Sequence, residues 1–358
     1  MAAHDPEQQR KQLAEQRRRV DFDTYDVTVD ELIRRVARSR IEFAPVYQRQ
    51  FRWDSARQSQ LIESLLLGIP VPPLFMATNL VAGQQVQWEV VDGLQRLLTL
   101  VNFAGNADAR KVAKLKDLPL RLSSLEKLSS LTNQRFSDLP EDIRTALEDR
   151  PVKVVVLNDK SDLQVRFDLF ERLNSGGIKL TDQEVRACVF RGPFMDCITR
   201  LAATDEFNSV VKLPERKTKD GTPEDYALRF FAFLERYGEF EHSVKGFIND
   251  FAAIATEDPK IDERNEIFIE TFDYLSKVFP NGLKTRKGST PVNLFEAVAV
   301  GAALALKIES NIPAIDSTDW LHSDELRRFT SSATNSRPRV RGRIEFCRDR
   351  FLGLPRHV

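Results

Sequence analysis

The sequence predicts an α+β protein: a mixed N-terminal half followed by an all-helical C-terminal half. Three observations carry this expectation. Short strand-like runs occur at Leu74–Ala77, Val86–Val91 and Lys153–Leu157, the last of them apolar and β-branched, and no convincing strand follows Pro193. Stretches with apolar residues at helical spacing alternate with those runs up to about residue 192. Beyond it the chain reads as successive helices near 194–203, 223–237, 243–256, 262–279, 291–307 and 338–351, with Pro/Gly/Lys-rich loops at 212–222 and 280–290. The expected organisation is a polar arm over 1–24, an α+β domain over 25–192 and a helical domain over 193–358.

The elements follow in order. The first twenty residues are polar, with Arg17, Arg18 and Arg19 together, and read as a frayed helix or solvated arm. Thr28 and Glu31 form a capping box that opens a helix with Leu32, Ile33 and Val36 on one face. Pro45 excludes a regular helix over YQRQFRW (Tyr47–Trp53), which reads as extended or looped chain. Asp54 or Ser55 caps a helix from about Ala56 to Leu67, which Gly68 ends. The strand at Val86–Val91 runs into Asp92-Gly93-Leu94-Gln95-Arg96, where Leu94, Leu97, Leu98 and Val101 begin a helical face. Lys153–Leu157 is an unbroken apolar run, as expected of an internal strand. A helix over Leu163–Leu173 ends in Asn174-Ser175-Gly176-Gly177, and Thr181 with Glu184 forms a further capping box.

Composition narrows the function. The chain has 358 residues, 42% hydrophobic and 30% charged, enough for a sizeable core. Its 53 basic and 53 acidic residues cancel, so net charge points to neither nucleic acid nor membrane. Three scattered cysteines, Cys188, Cys197 and Cys347, read as buried thiols of a reducing compartment. No run is long and apolar enough for a membrane span, and the N-terminus has no apolar signal core, so a cytoplasmic location is expected. The histidines, His4, His242, His322 and His357, have no partners at metal-ligand spacing, which argues against a zinc site. Neither a Walker A loop nor a Gly-x-Ser-x-Gly elbow is present.

What remains is arginines and amides in loops. At the Asp92 corner two readings stand. Asp92 and Gln95 form a capping box across a tight glycine turn. Alternatively, free backbone N–H groups and Arg96 at a helix start make an anion site. Arg49 and Arg52 either lie over Tyr47 and Trp53 or face a ligand. Arg172 either pairs with Glu171 or Glu184 or joins the same site, with Asn174 beside it. Arginine forks match phosphate oxygens, so together these turns fit a nucleotide.

YQRQFRW, then VVDGLQR, then FERLNSGGIKLTDQEVRA, in this order over about residues 25–200, resemble the N-terminal domain family of GmrSD-type restriction systems. The resemblance implies a ParB/sulfiredoxin-like fold and a place in phage defence. It also implies nucleotide binding, and hydrolysis, through an Asp-Gly-Gln-Gln-Arg motif. Carried over by position, Asp92, Gln95 and Arg96 are the candidate catalytic residues. Tyr47, Gln48, Arg49, Arg52, Gly93, Arg96, Arg172 and Asn174 are the candidate nucleotide contacts. Leu94 stands where the family has its first glutamine, which weakens the expectation of hydrolysis more than that of binding. Asp92 would either hold magnesium bridged to phosphates or orient a water or hydroxyl as a base. GTP, CTP and ATP are equally open. Residues 200–358 lack the histidine-type nuclease pattern of many members, so any cutting group is expected on a separate nuclease subunit. Homo-oligomerisation stays open. The alternatives are a non-catalytic DNA-binding module, with Arg339, Arg341 and Arg343 as candidate contacts on a basic helix, and a ParB-like nuclease. A solvated basic face is the plain reading of those arginines.

Overall fold

A computed structural model describes residues 6–7, 9–11, 21–43, 53–79, 87–115, 118–158, 167, 172, 181–218, 220–284, 288–310, 312, 318–331 and 334–354. The chain divides into two compact units, Met1–Lys179 and Leu180–Val358. The first is α+β and the second helical, as expected, but the break precedes residue 192.

The first unit is built on a five-stranded sheet: β1 (Phe22–Thr28), β2 (Ile41–Glu42), β3 (Leu74–Asn79), β4 (Gln87–Asp92) and β5 (Pro151–Leu157), in the order β1-β5-β3-β4-β2. β1/β5 and β3/β4 are antiparallel, whereas β5/β3 and β4/β2 are parallel. The Tyr25 and Trp88 rings stack at 5.7 Å although their strands are not neighbours, so the sheet curls strongly. β5 is internal, and Val152, Val154 and Val156 enter the core. β1 escapes sequence reading because it is an edge strand with five of its seven residues exposed. The expected polar arm therefore gives way to strand by Phe22.

Four helices in this unit bear on the site: α1 (Val29–Ala37), α2 (Ser55–Leu66), α3 (Leu94–Ala104) and α4 (Ala107–Val112), with α5 (Glu141–Glu148) leading into β5. Thr28 caps α1 through the Glu31 N–H, and Asp54 caps α2 through the Arg57 N–H. Leu32, Ile33 and Val36 of α1, Leu61, Ile62 and Leu65 of α2, and Leu97, Leu98 and Val101 of α3 pack on Leu74, Met76 and Val90 in one core. Fully burying each such side chain contributes about 1.5–3 kcal/mol. Glu63, also buried on α2, accepts from the backbone N–H groups of Glu126, Lys127 and Leu128 at 3.2, 2.7 and 2.8 Å and so pins that loop.

The second unit comprises α6 (Asp182–Val189), α7 (Pro193–Ala202), α8 (Asp205–Val210), α9 (Thr222–Arg236), α10 (Val244–Glu257), α11 (Ile261–Val278), α12 (Val292–Ile308), α13 (Asp324–Thr330) and α14 (Arg337–Phe351). α6 opens on the expected box, Thr181 Oγ1 accepting from the Glu184 N–H and the Glu184 carboxylate from the Thr181 N–H. Phe207, Phe230, Phe231, Phe268, Phe272 and Phe295 form the centre of the core. α12 and α14 meet at Gly301, where a Cβ would stand 2.7 Å from the Cys347 Cβ. All three cysteines are free and buried.

A largely buried ionic chain crosses this unit. Arg186 pairs with Asp225 at 2.8 Å, Asp225 with Arg229 at 2.6 Å, Arg229 with Glu296 at 2.9 Å, and Glu296 with Arg343. Burial lowers the proton affinity of Arg229, but the Asp225 and Glu296 carboxylates more than offset it and hold the guanidinium charged. Arg186 also donates to Asn249. These bonds place α6 with the helical unit, which is why the break falls before it.

Candidate functional site

Asp92 is the last residue of β4, opposite Phe75, and Gly93 caps α3. This corrects the capping-box reading. Gly93 has φ +92°, and no side chain caps the helix. Asp92, one residue before the cap, makes no capping hydrogen bond and accepts from Arg96 instead. A Cβ at Gly93 would lie 2.5 Å from Leu74 Cδ2 and 2.9 Å from Arg96 Nη2, so the turn has room for glycine alone.

Arg96 Nη2 donates to Asp92 Oδ2 at 2.8 Å and to the Pro73 carbonyl at 3.1 Å. The Arg96 side chain is 17% exposed and that of Asp92 36%. Arg96 Nε is buried with no hydrogen-bond partner. A cation in the first turn opposes the helix dipole, and here a carboxylate four residues earlier compensates it.

Gln95 Oε1 accepts from the Trp53 N–H at 3.2 Å. The end of YQRQFRW therefore lies at the corner. Arg57, on the first turn of α2, stands over the Trp53 ring at 4.8 Å. Tyr47, Gln48, Arg49, Arg52 and Asn174 lie outside the described residues. Arg172 is exposed and helical, and it has no described contact with the corner.

Among the described residues no three His, Cys, Asp or Glu side chains gather as a metal site. Asp92 is one carboxylate, already turned to Arg96, so these residues do not hold magnesium by themselves. The ion would have to arrive with phosphates.

The basic helix is largely neutralised. Arg341 is exposed and pairs with Glu345, Arg348 with Asp349, and Arg350 with Glu325. Arg339 is half-buried. Arg343 is 0% exposed and paired with the equally buried Glu296, so it cannot contact DNA. This corrects the reading of that residue. An arginine at helical spacing from surface arginines can still face inward when a buried carboxylate receives it.

Sequence reading missed Gln58, Asn102 and the Pro73 carbonyl. The available signal was in α3, where Gln95 and Asn102 stand seven residues apart on one face of an apolar helix.

No helix among the described residues is long and apolar enough to cross a membrane. No curated relative matches the chain. Residues 30–191 match the family model described as GmrSD restriction endonuclease, N-terminal domain, and this marks a protein of a restriction-type defence system. Those residues cover β3, β4, the Asp92 corner and α6, and over them the chain matches the GmrSD restriction endonuclease N-terminal domain family.

Proposed function

We propose that the α+β unit binds a nucleoside triphosphate at the Asp92–Arg96 corner and so regulates a restriction-type defence system. One observation carries this reading. Arg96 occupies the first turn of a helix whose cap is a glycine without a capping side chain. Both the helix start and the guanidinium favour an anion, and a polyphosphate satisfies both together. Asp92 holds Arg96 in place until phosphate oxygens take over part of its fork. Gln95 keeps Trp53 at the corner. DNA cutting is assigned to a separate nuclease subunit.

The test is titration of the full-length protein with GTP, CTP and ATP, each with and without magnesium, followed by a phosphate-release assay. Saturable binding of one nucleotide, lost in Arg96→Ala, is the expected result. A protein that binds none of the three refutes the reading.

A further inference from the structure

Trp53 is held by its main chain on both sides. Its N–H donates to Gln95 Oε1, and its carbonyl accepts from Gln58 Nε2 at 2.8 Å. Gln58 Oε1 accepts from Asn102 Nδ2 at 2.8 Å. Asn102 Oδ1 and its main-chain carbonyl both accept from Arg110 Nη1, at 2.8 and 2.9 Å. Gln58 and Asn102 are 6% and 8% exposed, so water does not substitute for these partners.

The sense of this chain is determined at its far end. An amide can present its oxygen or its nitrogen to a neighbour, so two amides in series have two possible directions. A guanidinium only donates. Arg110 therefore turns Asn102 Oδ1 toward itself, and Asn102 Nδ2 toward Gln58 Oε1. Gln58 is left with its Nε2 facing the Trp53 carbonyl. Gln95 and Asn102 share one face of α3: the first reads the Trp53 N–H directly, the second its carbonyl through Gln58.

We propose that Arg110, Asn102 and Gln58 are positioning residues, a one-way donor relay that sets Trp53 against the Asp92–Arg96 corner. The proposal rests on the nucleotide reading of that corner. None of the three residues touches the nucleotide; they act through Trp53.

Asn102→Asp tests it with almost no change in volume. The new carboxylate keeps both Arg110 bonds and gains charge assistance. It also offers Gln58 an acceptor in place of a donor, so Gln58 reverses and sets its oxygen against the Trp53 carbonyl. Gln58→Glu produces the same clash from the next position and serves if the first variant fails to fold. Two quantities are read in the full-length protein. They are amide hydrogen exchange at Trp53 relative to β3 and β4, and affinity for GTP, CTP and ATP with magnesium. The expected result is at least tenfold faster exchange confined to the Trp53 region, with at least a tenfold loss of affinity for the nucleotide that the wild type binds. Wild-type exchange and affinity in a folded variant would overturn the relay, as would acceleration spread evenly over the sheet. If the wild type binds no nucleotide, the functional reading fails, and exchange at Trp53 alone decides whether the relay holds.

Discussion

Arg96 Nη2 lies 2.8 Å from Asp92 Oδ2 and 3.1 Å from the Pro73 carbonyl, so one guanidinium joins the end of β4, the start of α3 and the chain entering β3. The pair is partly exposed, and such pairs contribute at most about 1 kcal/mol. A contact with phosphate, made through a charged fork, is worth about 1.5–3 kcal/mol. Arg96→Ala is thus expected to lower nucleotide affinity roughly ten- to a hundredfold. The melting temperature should fall by only a few degrees. Arg96→Lys should restore little, because lysine lacks the planar fork. Calorimetric titration and a thermal melt on the same sample check this, and a large melting shift with unchanged affinity would make Arg96 structural.

Gly93→Ala should damage both fold and site. The left-handed backbone costs a non-glycine residue about 1–2 kcal/mol. The new methyl would also press on Leu74 and on Arg96 itself. A stability loss of at least about 1 kcal/mol together with lost nucleotide binding is expected, read by urea denaturation and titration. Unchanged stability would mean that the turn can relax.

Glu63 gives the α+β unit an acid-sensitive pin. Burial raises its proton affinity, but the N–H groups of Leu128, Lys127 and Glu126 outweigh that and hold the carboxyl below its usual 4.5. A carboxyl lowered on folding stabilises the protein above its unfolded value, and that contribution is lost as pH falls through the folded one. Stability should therefore decline below about pH 4.5 more steeply in the wild type than in Glu63→Gln. At neutral pH Glu63→Gln should cost roughly 1–3 kcal/mol. Denaturant titrations at pH 7 and pH 4 measure both effects; equal slopes in the two proteins would exclude the pin.

Arg343→Met should destabilise the helical unit by about 3–5 kcal/mol, because Glu296 keeps a buried charge with one partner fewer. Arg341→Gln, at the surface of the same helix, should change stability by less than about 1 kcal/mol. Denaturation midpoints compare the two. Equal midpoints would contradict the burial of Arg343.

Local pattern in the chain specifies helix and strand wherever apolar spacing or a cap speaks on its own. Thr28, Asp54 and Thr181 cap their helices as read, and the helical tail follows its periodicity. The family was legible as well, since motif order survives without coordinates. Tertiary structure alone decided what depends on a partner distant in sequence. β1 is a strand because β5 pairs with it, not because its own residues alternate in burial. Asp92 has no capping role because Gly93, in a left-handed turn packed against Leu74, is the cap itself. Arg343 and its exposed neighbour Arg341 are indistinguishable in a string of arginines, and only the buried Glu296 carboxylate on another helix separates them. The relay from Arg110 to Trp53 was hidden for the same reason: amides acquire a direction only from the group that binds their far end.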